Sequence, residues 1–97
     1  MYHRKTEKID ALMKLFWRDN PEAYHKMLEA RVMRLWDEII DPKISQKTTS
    51  IYVIHRVLHV SMSSSVLRSE LQSMRKRLVT TLNNHAGSNV IDDVIIR

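Results

Sequence analysis

The sequence predicts an α+β domain whose elements follow one another in the order α-α-β-β-α-β. The first 40 residues and residues 63–86 carry apolar side chains three and four positions apart, which is typical of amphipathic helices. Residues 51–62 contain short apolar runs and are rich in β-branched side chains, which is typical of strands. Because a sheet must bury its apolar face, we expect the helices to pack on one face of a three-stranded sheet.

Two helices are predicted before residue 41. The first has Thr6 as a suitable N-cap and an apolar stripe over residues 9–16. Pro21 suits the first turn of the second helix, because the N–H group that proline lacks has no partner at that position. This helix is expected to run to about Ile40 and to end before Pro42, since the residue preceding a proline is disfavoured in helical geometry.

A loop is predicted over the polar residues 43–50, and a β-hairpin is predicted to follow it. The apolar residues of the two strands can each share one face: Ile51 and Val53 on the first, and Leu58, Val60 and Met62 on the second. The turn falls near His55-Arg56. Neither residue favours a positive φ angle, so we expect a looser turn than a tight type I′ turn.

A third helix is predicted to run from the serines at 63–65 to Gly87. Its apolar stripe, which we expect to be buried, consists of Leu67, Leu71, Met74, Leu78 and Leu82. Gly87 is the only glycine of the chain and suits the left-handed position that ends a helix. A short strand is predicted at the C-terminal end, with Val94 and Ile96 on the same side.

Residues 60–71 read VSMSSSVLRSEL, and the three serines suggest a nucleophile, a phosphate cradle or a helix cap. A nucleophilic serine at a strand–helix turn and a P-loop both need glycines, and no glycine lies within twenty residues of Ser65. No histidine is spaced to act as a base. We therefore expect Ser64 or Ser65 to cap the helix, and a contact of the same helix start with a phosphate stays open.

Composition excludes several classes of function. The chain has no cysteine, which excludes disulfides and every zinc site that needs sulfur ligands. His55 and His59 are predicted on opposite strands, with no carboxylate nearby to complete a metal site. We expect no catalytic residues, no metal and no cofactor. No apolar run approaches the roughly 20 residues of a membrane span, so we expect a cytoplasmic protein, not bound to membranes, with one domain over residues 1–97.

The basic residues are concentrated in the middle of the chain. Residues 43–77 contain seven Lys and Arg against one Glu, whereas the net charge of the whole chain is +5. This asymmetry predicts an anionic partner such as nucleic acid. The residues predicted to contact phosphates are Lys43, Lys47, Arg68, Arg75, Lys76 and Arg77, together with Arg4 and Lys5 in a mobile basic arm over residues 1–5. Contacts of this kind carry little sequence specificity.

Two segments carry a resemblance to a known family: ARVMRLWDEIIDPKISQKTTSIYV and VLHVSMSSSVLRSELQSMRKRLVTTLNNHAGSNVIDDVIIR. From about Ala30 to Arg97 the chain resembles the DciA family of bacterial helicase loaders. The matching features are the Trp36 and Ile39 step, the Ile44 and Thr48 spacing, the serines ahead of Glu70-Leu71, the Leu82-Asn83 pair, Gly87 and Arg97.

This resemblance implies a KH-like fold, DNA binding and a contact with the replicative helicase during the initiation of bacterial DNA replication. The chain looks like a short form, without a zinc ribbon or a C-terminal tail, and it has no Gly-x-x-Gly loop. The candidate surface for docking a protein is the acidic outer side of the second helix, formed by Glu22, Glu29, Asp37 and Glu38. The alternatives are an RNA-binding module and a protein-interaction module whose basic face meets an acidic partner.

Overall fold

The computed structural model describes the backbone of residues 2–97 and the side chains of residues 11–97. The helices and strands are α1 (Tyr2–Asp19), α2 (Pro21–Ile39), α3 (Pro42–Ser45), β1 (Thr48–Ile54), β2 (Val57–Met62), α4 (Ser65–Ser73), α5 (Arg75–Ala86) and β3 (Asp93–Ile96). This order confirms the predicted α+β class and fits a KH-like architecture. Within the described part of the chain, no helix is long and apolar enough to cross a membrane.

The three strands form one mixed sheet in the order β1-β2-β3. β1 pairs with β2 in antiparallel fashion, and β2 pairs with β3 in parallel fashion. Leu58 lies opposite Val53 on one side and Val94 on the other, so these side chains share one face of the sheet. That inner face is covered by helices, and its buried residues are Leu58, Val60, Met62, Val94 and Ile96. The predicted faces of β2 and β3 are confirmed.

Helix α2 supplies the other side of the core through Leu28, Val32 and Trp36, which lie four positions apart and are buried. Trp36 is fully buried, and its indole Nε1 donates a hydrogen bond to the Thr48 hydroxyl at 3.1 Å. This bond joins the end of α2 to the start of β1, so the helix is fixed in register on the sheet.

The start of α1 and the segment after α2 differ from the sequence prediction. α1 begins at Tyr2, so Thr6 lies within the helix and is not its N-cap. Residues 42–45 form the short helix α3 where a loop was predicted. The Asp41 carboxylate accepts a hydrogen bond from the backbone N–H of Lys43 at 2.8 Å, and Pro42 occupies the first turn. A single turn stabilised by its cap has no apolar periodicity to predict it.

The hairpin turn is tighter than predicted. His55 and Arg56 alone connect β1 to β2, with φ angles of 49° and 65°. Two consecutive left-handed residues are the geometry of a type I′ turn, so the prediction of a looser turn is wrong. The physical reason is a set of contacts made by Arg56 to residues after α5, which no local pattern indicates.

The predicted third helix is two helices. α4 ends and α5 begins at Met74, whose φ of −107° and ψ of 13° break the helical path. Met74 is 39 % exposed, so its predicted burial is wrong. Leu71, Leu78 and Leu82 are buried as predicted, and Leu67 packs against the core while half-buried. Gly87 ends α5 in the left-handed conformation, with a φ of 78°, as predicted.

Candidate nucleic-acid interface

The three serines lie at the start of α4, and one of them caps it. The Ser64 hydroxyl oxygen accepts a hydrogen bond from the backbone N–H of Leu67 at 3.3 Å, while Ser63 and Ser65 are exposed. The capping prediction is therefore confirmed for Ser64. This cap satisfies an N–H group of the first turn that would otherwise have no partner.

Two of the predicted phosphate contacts lie close to the start of α4. The carbonyl of Lys47 accepts a hydrogen bond from the Ser63 N–H at 2.8 Å, and the Lys47 side chain is exposed. Arg68 is half-buried: its Nη2 donates to the Met62 carbonyl at 3.4 Å, and its buried Nε has no hydrogen-bond partner among the described residues. The structure thus gives Arg68 a local role in fixing the chain between β2 and α4.

Arg75, Lys76 and Arg77 form the densest group of cations. All three are exposed in the first turn of α5, and they line an open cleft of about 470 Å³ together with Gln72, Ser73 and Met74. Met74 provides no side-chain cap for α5, so no side chain at that position covers the free N–H groups of the first turn. Free N–H groups and the positive end of the helix dipole make this turn favourable for an anion.

The position of these three cations is unfavourable for α5 by itself. Cations stabilise the C-terminal end of a helix, whereas the N-terminal end favours negative charge. Arg75, Lys76 and Arg77 therefore lower the stability of α5 unless an anion lies nearby. A negatively charged ligand at this turn would relieve the repulsion.

A weak ion pair accounts for part of the charge at this turn. The Nε of Arg75 lies 3.5 Å from Oδ1 of Asp93, with 51 % of the Arg75 side chain and 43 % of the Asp93 side chain exposed. Exposed pairs of this kind contribute little and are screened by salt. Within the described residues, Lys76 and Arg77 form no ion pair, so both are available to an external anion.

Lys43 is exposed on α3 and lines neither the cleft of the basic turn nor the groove beside it. Asp41 and Ile44 of the α3 region line a small groove of about 280 Å³, and Arg77 lines its other side. Helix α4 has nine residues, so the Lys47 region and the turn between α4 and α5 lie about 14 Å apart. The structure therefore brings Arg75, Lys76 and Arg77 together, with α3 beside them, and places Lys47 and Arg68 at the other end of α4.

The remaining predicted residues lie elsewhere. Arg4 and Lys5 belong to helix α1, and their side chains lie outside the described part of the structure; the basic arm over residues 1–5 stays a prediction. Among the acidic residues on α2, Glu22, Asp37 and Glu38 are exposed. Glu29 is half-buried. Among the residues with described side chains, no group of three or more His, Cys, Asp and Glu could hold a metal ion.

Sequence reasoning missed the break at Met74 and the uncapped start of α5. No local signal indicates this break, because the apolar spacing through Leu71 and Leu78 fits a continuous helix. Gln72 was also missed; its Nε2 donates to the carbonyl of Ile96 at 2.7 Å and joins the end of α4 to the edge strand β3.

Comparison with known proteins identifies the family. No curated protein and no solved structure matches the chain. The family model described as "Dna[CI] antecedent, DciA" matches residues 8–96, which is nearly the whole chain. This range includes both helices of the basic turn and all three strands of the sheet. The chain therefore belongs to the DciA family, which is associated with loading of the replicative helicase.

Proposed function

We propose that this chain is a non-enzymatic, cytoplasmic DNA-binding adaptor that helps to load or operate the replicative helicase in the initiation of bacterial DNA replication. The membership of the DciA family supports the link to the helicase. The link to DNA is supported by the exposed cations of the basic segment.

The observation that carries the DNA contact is the cluster of Arg75, Lys76 and Arg77 at the uncapped start of α5. Three positive side chains and the free N–H groups of one helical turn converge on the same open cleft. The backbone of DNA supplies the negative charge that this arrangement lacks. Guanidinium groups add paired hydrogen bonds to phosphate oxygens, which an ammonium group cannot provide.

The same turn favours contacts to the DNA backbone over contacts to bases. KH domains clamp the nucleic-acid backbone with a Gly-x-x-Gly loop, but the turn between α4 and α5 reads Ser73-Met74 followed by Arg75-Lys76 and has no glycine. The cationic side chains and the free N–H groups at the start of α5 therefore take the place of a glycine loop. Phosphate contacts of this kind position a protein on DNA without reading its sequence.

We place the contact with the helicase on the acidic outer side of α2, where Asp37 and Glu38 are exposed. The exposed carboxylates of Asp37 and Glu38 disfavour DNA at the C-terminal end of α2 and leave it available to a basic protein surface. Leu12, Leu15 and Phe16 on the neighbouring helix α1 are apolar and also exposed, as is typical of a surface that meets a protein.

Fluorescence anisotropy with labelled single- and double-stranded DNA at low salt tests the DNA contact. We expect Lys76→Ala/Arg77→Ala to weaken binding about tenfold or more, because two charge-assisted contacts to phosphates are lost. The matched control is Lys26→Ala/Arg34→Ala, which removes the same charge from exposed positions of α2. Absence of binding to either form of DNA would remove the DNA-binding function.

Two further measurements separate the alternatives. Stronger binding of an RNA of the same length and sequence would favour an RNA-binding module. Co-purification from the native cytoplasm, with and without nuclease, tests the helicase contact: we expect the helicase in both samples. An acidic protein partner in place of the helicase would favour the protein-interaction alternative.

A further inference from the structure

A second cleft, of about 480 Å³, lies where α1 and α2 meet the C-terminal end of α5. Residues 14, 17 and 18 of α1 and residues 24, 27, 28 and 31 of α2 form two of its walls, and residues 86–88 form the third. It is distinct from the basic turn at the start of α5, because α5 has 12 residues and its two ends are about 18 Å apart. Of the predicted phosphate contacts whose side chains the structure describes, none lines it.

The charge of this cleft is positive. Lys14, Arg18 and Arg31 line it, and its described lining includes no carboxylate. Arg31 is half-buried, and its Nη1 donates to the carbonyl of Ala86 at 2.9 Å, which holds the guanidinium at the end of α5. Asp19, the nearest acid to Arg18 at 3.6 Å, is highly exposed, so that pair is screened by solvent. A concave surface with this excess of cations attracts anions.

Two aromatic side chains line the same cleft. The rings of Trp17 and Tyr24 have centroids 5.8 Å apart, and their planes are inclined by 49°. The two rings are therefore not stacked on each other, and both are only half-buried. Aromatic surface beside a cationic groove is the combination with which proteins bind single-stranded nucleic acid, since bases stack on the rings while cations contact the phosphates.

We propose that this cleft binds a nucleotide of single-stranded DNA, with the base against Trp17 and Tyr24 and the phosphates beside Lys14, Arg18 and Arg31. The volume is sufficient for a ligand of this size. An acidic peptide would satisfy the cations but gives no role to the two half-exposed rings. The inference rests on the proposed DNA-binding function and adds a second contact to it, at the opposite end of α5 from the basic turn.

The two tryptophans of the chain make this contact measurable. Trp36 is fully buried in the core, whereas Trp17 lines the cleft. Titration with a single-stranded oligothymidylate of about ten nucleotides is expected to quench the emission of Trp17 and to leave that of Trp36 unchanged. Trp17→Phe identifies the quenched component, because it removes that emission and keeps an aromatic ring.

Two variants test the affinity. We expect Trp17→Leu and Lys14→Ala/Arg18→Ala each to weaken binding of the oligothymidylate about 5- to 50-fold. Lys26→Ala, an exposed position of α2 outside the cleft, is the control and should bind as the wild type does. Circular dichroism checks that each variant is folded. If Trp17→Leu does not fold, Lys14→Ala/Arg18→Ala still tests the cleft, because both cations are exposed and their loss should leave the fold intact.

The outcomes separate this inference from the proposed function. Binding that depends on Lys76 and Arg77, without quenching and without an effect of the cleft variants, would overturn the inference and leave the function. Quenching that depends on Lys14 and Arg18, with no effect of Lys76→Ala/Arg77→Ala, would support the cleft and overturn the role of the basic turn. Absence of DNA binding would overturn both, and tighter binding of the corresponding RNA would overturn the assignment to DNA.

Discussion

Arg56 in the hairpin turn holds the carboxylate of Asp92 at two points, with Nε to Oδ2 at 2.9 Å and Nη2 to Oδ1 at 3.0 Å. The Nη2 also donates to the Asn89 carbonyl at 2.8 Å, and the Arg56 carbonyl accepts from the Asp92 N–H at 2.7 Å. The turn between β1 and β2 is therefore joined to the segment before β3, 36 residues further along the chain. These contacts stabilise a left-handed backbone at a residue that disfavours it.

His55 has the same left-handed backbone, with a φ of 49°, and no hydrogen bond to its side chain among the described residues. We expect His55→Gly to raise the free energy of unfolding by about 0.5–1 kcal/mol, because glycine removes the steric cost of a positive φ angle. The greater conformational freedom that glycine loses on folding cancels part of this gain. Arg56→Gly should give a smaller gain or a loss, since it also removes the contacts to Asp92 and Asn89. Urea unfolding measures both, and a larger gain for Arg56→Gly would contradict the explanation.

The same ion pair makes stability depend on pH. The hydrogen bond from Arg56, with the attraction of its positive charge, lowers the pKa of Asp92 below its ordinary value of 3.8, whereas desolvation opposes the shift. A carboxylate with a lowered pKa stabilises the fold fully above the pKa of the unfolded chain, and this contribution is lost as the pH falls through the lower pKa of the folded state. Arg56 stays charged throughout, because the hydrogen bond from its guanidinium to the Asp92 carboxylate raises its pKa further above the ordinary value of an arginine.

We therefore expect Asp92→Asn to reduce stability at neutral pH and to flatten the loss of stability below about pH 4. The measurement is urea unfolding at a series of pH values from about 6 to about 2.5. Asp37→Asn is the control, because Asp37 is exposed and forms no ion pair within the described residues. If the free energy of unfolding falls equally steeply with decreasing pH in the wild type and in Asp92→Asn, the role of the ion pair is contradicted.

The faces of the strands could be predicted from the sequence because they depend on neighbours along the chain. Leu58, Val60 and Met62 alternate with polar or smaller residues, and a strand with one buried face requires that alternation. Gly87 could be predicted for a similar reason, since a left-handed helix end favours the only residue without a Cβ atom. In both cases the physical cause lies within a few residues.

The break at Met74 could not be predicted, because its causes lie far apart in the sequence. The apolar spacing through Leu71 and Leu78 fits a continuous helix. The chain turns at Met74 where Gln72 contacts the carbonyl of Ile96 and Arg75 contacts Asp93, and both partners belong to β3. The sequence places Arg68, Arg75, Lys76 and Arg77 on one continuous predicted helix, whereas the observed turn gathers three of them around one cleft.

Among the three serines, the cap at Ser64 is expected to be the one that matters for stability. Ser64→Ala removes the acceptor for the Leu67 N–H, and we expect a loss of about 0.5–2 kcal/mol in the free energy of unfolding. Ser63→Ala and Ser65→Ala are the controls; both side chains are exposed, and we expect changes within about 0.5 kcal/mol. Thermal or urea unfolding of the three variants tests this expectation. Equal losses in the free energy of unfolding for all three would contradict the assignment of Ser64 as the cap.

Asn83 holds the segment between α5 and β3 from inside the core. It is 8 % exposed; its Oδ1 accepts from the N–H groups of Val90 and Ile91 at 2.9 and 3.1 Å, and its Nδ2 donates to the carbonyl of Ile91 at 2.9 Å. Asn83→Ala leaves these buried backbone groups without partners. We expect a loss of about 2–4 kcal/mol, measured by urea unfolding. Asn84→Ala, at the exposed neighbour, should be close to neutral or slightly stabilising, because alanine favours a helix more than asparagine does. A comparable loss there would show that the buried hydrogen bonds of Asn83 are not the cause.

The salt dependence of DNA binding tests whether the basic turn contacts phosphates. A contact with about three to five phosphates of duplex DNA predicts that log K falls with log salt at a slope of roughly −3 to −4.5, because each neutralised phosphate releases its counterions. Lys76→Ala/Arg77→Ala should make that slope shallower by about 2, since each lost phosphate contact changes it by about 1. Lys26→Ala/Arg34→Ala should leave it unchanged. A weaker affinity with an unchanged slope would mean that Lys76 and Arg77 act on the fold of the turn and do not contact phosphates, because only ion release changes the slope.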